Sequence, residues 1–220
     1  MKRTGKKLLF AGMMWMTVFA AWTILIQTVD VQSIGPMGTA VGFASLNGWF
    51  HELTGVHMSV YHITDWLGLV PIFICMMFGL LGLVQLIRRR SLWKVDADIL
   101  WLEAYDVVVI LLYLAFEMFP VNFRPILIEG VLEASYPSST TLLVLCVMPT
   151  LVLQVNRRSK NAAFQKAVHF SAAVFSVLMV LGRMISGVHW LTDIAGSVWL
   201  NMGLFRLYQS AVQLCGSSNH

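Results

Sequence analysis

The chain has 220 residues, of which 58% are hydrophobic and 12% charged, and its formal net charge is +4. It contains 8 Trp and 13 Phe. This composition excludes an ordinary soluble globular domain and indicates an integral membrane protein whose solvent is the lipid bilayer.

Apolar stretches in chain order predict the membrane topology. Residues 8–29, 66–87 and 134–156 contain no charged residue, and each run is long enough for the roughly 20 residues that a spanning helix needs. Weaker apolar stretches at 99–119, 167–187 and 190–212 contain a few ionisable residues. We therefore expect an all-α fold, a six-transmembrane helical bundle in one membrane-embedded domain spanning 1–220. The helices are expected at 8–29, 66–87, 99–119, 138–156, 167–187 and 190–212.

The first apolar run follows the basic segment MKRTGKK. It is longer than the roughly 7–15 residues of a signal-peptide core, so we interpret it as a spanning helix. Residues 30–65 are rich in glycine and aromatic side chains. We expect this segment to form interfacial helices or a re-entrant flap on the outer side.

Lysine and arginine set the expected orientation, because they accumulate in cytoplasmic loops. With six helices and both termini cytoplasmic, nearly all of the basic residues fall on the inner side: Lys2, Arg3, Lys6, Lys7, Arg88, Arg89, Arg90, Lys94, Arg157, Arg158, Lys160, Lys166 and Arg206. Arg124 and Arg183 are the exceptions on the outer side. The positive charge is therefore a topology signal, and it gives no reason to expect nucleic-acid binding.

The stretch GRMISGVHWLTDIAG places ionisable groups at the outer end of the last helix pair. His189 and Asp193 are four residues apart and share a helix face. The carboxylate can fix one imidazole nitrogen and leave the other free as a nucleophile or base. The alternative is an interfacial histidine beside a helix-capping aspartate.

The stretch YPSSTT, residues 136–141, predicts the start of a helix on the same outer side. Pro137 suits a first turn, Ser138 or Ser139 can cap it, and the free amides up to Thr140 can bind an anion. Alone, this stretch predicts only a helix start. Together with Arg124, Arg183 and the His–Asp pair, it predicts a phosphate site with a nucleophile.

These motifs resemble the type 2 phosphatidic acid phosphatase superfamily, whose signature is Lys-x6-Arg-Pro, Pro-Ser-Gly-His and Ser-Arg-x5-His-x3-Asp. The third motif is nearly complete from Arg183 to Asp193, and the first retains Arg124-Pro125. The resemblance implies that His189 forms a phospho-histidine, that Asp193 orients it, and that Arg124 and Arg183 hold the phosphoryl oxygens. It also implies catalysis without a metal or other cofactor.

Two positions depart from the family pattern. Glu117 stands where the family has lysine, and Thr140 stands where it has the general-acid histidine. Loss of such an acid typically costs about 10²–10⁴-fold in rate. An ionised Glu117 would repel phosphate, whereas a protonated Glu117 could replace the missing acid.

Four other acidic residues fit the site less well. We interpret Glu129 and Glu133 as solvated loop charges, and we expect Glu103 and Asp106 to pair with the basic loop after the second helix.

The resemblance favours a phosphatase or phosphotransferase acting on a lipid phosphate or polyprenyl diphosphate, such as undecaprenyl diphosphate, at the outer leaflet. It implies a multi-pass protein of a bacterial plasma membrane with an extracytoplasmic active site, and membrane lipids as its partners. One alternative is a catalytically reduced relative that binds or moves a phospholipid or isoprenoid. A transporter is disfavoured because the charges cluster at one membrane face rather than at the midplane.

Overall fold

The computed structural model describes residues 2–215, and within them the protein is helical with no β-strand. Two short 3-10 helices lie at Pro36–Gly38 and Leu92–Lys94. The α-helices are α1 (Lys2–Thr28), α2 (Ala44–Thr54), α3 (Met58–Leu67), α4 (Leu69–Arg89), α5 (Ala97–Met118), α6 (Ser139–Arg158), α7 (Ala162–Ile185) and α8 (Leu191–Cys215). The expected all-α class is therefore confirmed.

Five segments within the described residues are long and apolar enough to cross a membrane: Arg3–Thr28, Met58–Arg89, Ala97–Met118, Ser139–Arg158 and Ala162–Ile185. Helix α8 was expected as the sixth span, and it does not meet the same criterion. It has 25 residues and thus a length of about 37 Å, enough to cross a bilayer, but it carries several polar side chains. Six spans and cytoplasmic termini therefore stay predictions.

Helix α8 lies inside the bundle, which accounts for its polar composition. It packs along α1 over most of its length and also contacts α5 and α6. The close approach of α1 and α8 depends on small residues: a side chain at Gly12 would overlap Leu207, and one at Gly203 would overlap Met16. Because protein rather than lipid surrounds α8, its polar groups can find partners within the bundle.

The second span starts earlier than the expected 66–87. Helices α3 and α4 follow each other across Gly68 and form one apolar segment from Met58 to Arg89. The expected outer segment 30–65 therefore contributes α2 and the first turns of a membrane helix. Residues 30–65 also contact the loop before α8, because the amide of His57 donates to the carbonyl of Ser186 at 3.0 Å.

A glycine contact fixes this junction. Gly187 has φ +70°, in the left-handed region, and a Cβ there would come within 2.1 Å of the carbonyl oxygen of Gly55. A residue with a side chain would therefore be strained and would also collide with the backbone. The loop between α7 and α8 is thus held directly against the segment that joins α2 and α3.

A hairpin-like excursion connects α5 to α6. Ile128 and Val131 pair across a tight turn in which Glu129 and Gly130 both have positive φ, at 50° and 80°. Two consecutive positive φ values are typical of the turns that reverse a chain sharply, and glycine favours them. The pairing continues to Phe123 and Ala134, so that Asn122 and Ser135 face each other, with the amide of Ser135 donating to the carbonyl of Asn122 at 2.9 Å.

The ion pairs at the end of the bundle opposite the hairpin show that, in the described part of the chain, Glu103 and Asp106 do not pair with the basic loop, contrary to the expectation. Asp96 pairs with Arg89 at 2.6 Å, and Asp98 pairs with Arg158 at 2.8 Å. Glu103 and Asp106 make no ion pair within residues 2–215: Glu103 lies against α4 near Gly79, and Asp106 is buried. They lie one and two turns further into the bundle than the aspartates that meet the basic loops. We call this end of the bundle, with Arg89 and Arg158, the basic end.

Candidate functional site

His189 lies in the short loop between α7 and α8, at the end of the bundle opposite the basic end. Its side chain is 4% exposed. Nδ1 lies 3.1 Å from the carbonyl oxygen of Ser135 and 3.0 Å from the hydroxyl oxygen of the same residue. A carbonyl only accepts hydrogen bonds, so this contact requires the proton on Nδ1.

The opposite ring nitrogen of His189 is the one available for chemistry. With Nδ1 protonated, Nε2 carries a free lone pair, and it has no hydrogen-bond partner within the described residues. Buried polar atoms normally have partners, and a catalytic role is one reason for an exception. Nε2 is therefore placed as a nucleophile or a base.

Asp193 supports this arrangement from the first turn of α8, and it is fully buried. Its Oδ2 accepts from the hydroxyl of Ser135 and, at 2.9 Å, from the amide of Trp190. Its Oδ1 accepts from the side-chain amide of Asn122 at 3.2 Å. The nearest approach of Asp193 to Nδ1 of His189 is 3.9 Å, so Ser135 mediates between the carboxylate and the imidazole.

Sequence reasoning missed Ser135 and Asn122. Each is 2% exposed, and the hairpin register places them opposite each other beneath the His–Asp pair. A serine and an asparagine in a loop carry no spacing signal, because the long-range contact to α8 depends on the hairpin and not on helical periodicity.

Arg183 lies in the last turn of α7, as expected, and is 1% exposed. Its guanidinium donates to the hydroxyl of Thr140 and, at 3.3 Å, to the carboxylate of Asp65. Its Nε has no hydrogen-bond partner within the described residues. The charged group also lies 5.0 Å from the ring centre of Tyr61, within cation–π range.

Arg124 approaches the same tyrosine from the hairpin, at 5.7 Å from the ring centre. The two guanidinium groups therefore flank Tyr61, which the sequence analysis did not single out. Nη1 of Arg124 is buried and has no hydrogen-bond partner in the part of the chain that the structure describes. Two neighbouring buried arginines with unused donors are suited to binding an anion with several oxygens, such as phosphate.

Glu133 was expected as a solvated loop charge, and this interpretation is wrong. Its Oε2 lies 3.0 Å from Nε of Arg124, and its side chain is 37% exposed. The hairpin pairing explains the contact, because the amide of Arg124 donates to the carbonyl of Glu133 at 3.1 Å. Glu129, at the tip of the turn, is exposed as expected.

Helix α6 begins beside these residues, with Ser138 as its N-cap. The Ser138 amide donates to the carbonyl of Asp193 at 3.4 Å, and its hydroxyl donates to Thr141. Ser138 was expected to offer its amide to an anion, and the bond to Asp193 corrects this. The amides of Ser139 and Thr140 have no acceptor inside the helix, because the first turn of any helix lacks them.

Glu117 lies in the last turn of α5 and lines a small cavity together with Ser135, Ser139 and His189. Its carboxyl group is also close enough to Arg124 and Glu133 to interact with their charges. Glu117 and His189 therefore line the same small cavity. Glu117 makes no ion pair within 4.0 Å in the described residues.

Burial is the main cause that lowers the pKa of His189 well below its ordinary value, and the positive charges of Arg124 and Arg183 lower it further. The imidazole is therefore neutral at neutral pH, which is the form a nucleophile requires. The structure thus brings together a neutral histidine with a free Nε2, two arginines and the amide end of a helix.

Comparison with known proteins shows the family and the fold that the chain resembles. A family model of the PAP2 superfamily matches residues 75–215. A solved structure, described as the first transmembrane PAP2 type phosphatidylglycerolphosphate phosphatase from Bacillus subtilis, matches with a TM-score of 0.67. The two sequences are 16% identical, and the match covers 96% of this chain and 98% of that chain. At this identity the likeness concerns the fold. No curated protein matches the sequence.

Proposed function

The chain belongs to the PAP2 superfamily, and on that premise we propose that it is a membrane phosphatase that removes phosphate from a lipid phosphate or polyprenyl diphosphate at the outer leaflet. The observation that carries the proposal is the buried Nε2 of His189, which has no hydrogen-bond partner among residues 2–215, on a ring whose tautomer is set by Ser135. Transfer of the phosphoryl group to another acceptor would use the same first step.

In the first step, Nε2 of His189 attacks phosphorus, a P–N bond forms, and the P–O bond to the leaving group breaks. Arg124 and Arg183 stabilise the charge on the phosphoryl oxygens together with the amides of Ser139 and Thr140. Nδ1 keeps its proton and donates to Ser135, whose hydroxyl donates to Asp193, so that the carboxylate stabilises the positive charge of the ring. In the second step, water attacks phosphorus, a P–O bond forms as the P–N bond to His189 breaks, one proton of the water passes to the solvent, and inorganic phosphate leaves.

Two acidic residues occupy places that affect this chemistry. Glu117 lines the small cavity at His189 and, when protonated, can donate a proton to the leaving oxygen. Glu133 forms an ion pair with Arg124 at 3.0 Å, so an incoming phosphate competes with this carboxylate. The lack of a general-acid histidine favours a diphosphate substrate. Its leaving group is a phosphate ester, which departs readily without protonation.

A second cavity supports a lipid as the substrate. It has a volume of about 510 Å³, its walls are mainly apolar, and it runs between α4, α5 and α6. Tyr113, Ser139 and Leu142 line this cavity and also the small cavity beside His189. A phosphate at His189 can therefore be joined to a hydrocarbon chain that lies among the helices.

The same contacts also favour a second candidate, a relative that binds or moves a phospholipid or isoprenoid without hydrolysis. Arg124 is paired with Glu133, Arg183 is paired with Asp65, and Thr140 accepts from Arg183. In this candidate the acidic residues neutralise part of the positive charge that would bind phosphate. No proton donor is needed, because no bond is cleaved.

Purified protein assayed in detergent against lipid monophosphates and diphosphates separates the two candidates. We expect phosphate release by the wild type and at least a thousandfold loss in His189→Ala, because the nucleophile is removed. His169→Ala is the matched control, since this exposed histidine lies in the basic half of α7. Binding of a lipid diphosphate without release of phosphate, equal in the wild type and His189→Ala, would leave only the second candidate.

A further inference from the structure

A groove on the opposite half of the bundle has no role in the proposed reaction. It has a volume of about 390 Å³ and lies between α6, α7 and α8, with walls that include Pro149, Val152, Ala173 and Phe205. Helix α7 packs along α6 and touches α8 only sparsely. Small side chains on α7, Ala173 and Ser176, leave the space open.

The polar residues of this groove lie toward the basic end. His169 and Gln209 line it, and Gln209 accepts from Arg206 at 3.0 Å. Lys166 precedes His169 by three residues and therefore projects from the same face of α7, one turn nearer the basic end. Neither Lys166 nor Arg206 lines the apolar groove, but Lys166 lies one helical turn from His169 and Arg206 donates to Gln209, and we call these two cations its rim.

Carboxylates do not neutralise this rim. Among residues 2–215, Asp96 and Asp98 are the acids that pair with bases at the basic end, and their partners are Arg89, Arg157 and Arg158. Neither Lys166 nor Arg206 forms an ion pair with a carboxylate in the described part of the chain. A positive rim over an apolar groove is complementary to an anionic headgroup over a hydrocarbon chain.

We propose that this groove binds an anionic phospholipid of the leaflet at the basic end, with one acyl chain between α6, α7 and α8 and the phosphate at Lys166 and Arg206. The site is independent of the phosphatase proposal, because it lies in the other half of the bundle from His189 and uses none of its residues. Selectivity comes from the headgroup, since the acyl chain is already surrounded by apolar groups in the bilayer.

Native mass spectrometry with added phosphatidylglycerol or phosphatidylcholine of the same acyl chains tests the site. We expect the wild type to retain one phosphatidylglycerol through delipidation, and to bind phosphatidylcholine at least tenfold more weakly. The double variant Lys166→Gln/Arg206→Gln should bind phosphatidylglycerol about thirtyfold more weakly, as two basic residues near a lipid headgroup would predict. Arg88→Gln/Arg90→Gln is the matched control, with two charges removed from another loop at the same end.

Filling the groove gives a second, independent arm. Ala173→Trp should abolish retention of the lipid, whereas Val174→Trp, at the neighbouring position outside the groove lining, should not. Equal losses in both tryptophan variants, or equal retention of the two lipids, would overturn the proposal. It is also overturned if Arg124→Gln releases the lipid and Lys166→Gln/Arg206→Gln does not, because the lipid then lies in the His189 pocket. A change of oligomeric state confined to Ala173→Trp would assign the groove to a second copy of this chain instead.

Discussion

Ser135 holds Nδ1 of His189 with both of its oxygen atoms, the carbonyl at 3.1 Å and the hydroxyl at 3.0 Å. The carbonyl fixes the tautomer of the ring, and the hydroxyl passes the hydrogen bond on to Asp193. A backbone atom cannot be removed by mutation, so the two functions can be separated experimentally.

Ser135→Ala should therefore lower kcat without abolishing the reaction. The carbonyl still fixes the tautomer, but the buried carboxylate loses a donor, a change worth about 1–3 kcal/mol or roughly ten- to hundredfold in rate. KM for a lipid phosphate should change little, because Ser135 contacts Nδ1 of His189 and not the attacking Nε2. Ser135→Thr, which keeps the hydroxyl, should restore most of the rate, and an equal loss in both variants would indicate a packing role.

The pH dependence of the reaction follows from the lowered pKa of His189. Below its ordinary value of 6.5 the imidazole stays neutral in the folded protein, so kcat/KM should hold constant well below pH 6.5 and fall only under more acidic conditions. Arg124→Gln removes one of the charges that lower this pKa, and the acidic limb should move toward higher pH. If the acidic limb of the pH profile lies at the same pH in Arg124→Gln as in the wild type, the group that titrates there is not His189.

The same pKa shift predicts how stability changes with pH. As the pH falls through 6.5, the unfolded chain binds a proton at residue 189 and the folded protein does not, so the free energy of unfolding decreases. Thermal unfolding of the wild type and His189→Gln, measured from pH 7 to pH 5, should show a smaller pH-dependent loss in the variant. Identical pH dependence in the two proteins would contradict the lowered pKa.

Glu133→Gln should strengthen phosphate binding. The substitution removes the carboxylate that lies 3.0 Å from Nε of Arg124, so an incoming anion no longer competes with it. The pair is partly exposed, and such pairs are worth about 0–1 kcal/mol, so inhibition by inorganic phosphate should tighten by up to about fivefold. Glu129→Gln, at the exposed turn four residues earlier, is the control and should leave the inhibition constant unchanged.

Substrate preference tests the proposed roles of Glu117 and Thr140. Release of a lipid alkoxide needs a proton, whereas release of a phosphate ester does not, so we expect faster turnover of diphosphates than of monophosphates. Thr140→His should raise monophosphate turnover more than diphosphate turnover, and Glu117→Gln should lower monophosphate turnover. Equal rates on both substrates, unchanged by both substitutions, would show that Glu117 and Thr140 do not determine substrate preference.

Composition and motif spacing were sufficient for the helical class and for the approximate position of most helices, because long apolar runs have few alternatives in a bilayer. They also placed His189, Asp193, Arg124 and Arg183 at one end of the bundle, where the structure brings them together. The contacts made by Ser135 and Glu133 could not be predicted from composition or motif spacing. Both contacts depend on a hairpin register that is set by a turn at residues 129–130, and no periodic pattern in the sequence indicates that register.

The last helix, α8, illustrates a different limit. Helix α8 is surrounded by α1, α5 and α6 and so needs no lipid-facing apolar surface. Hydropathy measures the preference of a segment for lipid. It is therefore a poor guide to a helix that is covered mainly by other helices. The early start of the second span, at Met58, was missed because His62 and Asp65 interrupt its apolar run. In the structure, Asp65 is neutralised by Arg183.

The junction of Gly55 with Gly187 places the outer segment directly over the loop that carries His189. A headgroup is then expected to arrive from the side, within the plane of the bilayer, rather than from the water above. The reaction rate should accordingly follow the mole fraction of substrate in a mixed micelle or vesicle. Diluting that surface with inert detergent at constant bulk substrate should slow the enzyme, while diluting the whole suspension with buffer should leave turnover per molecule unchanged.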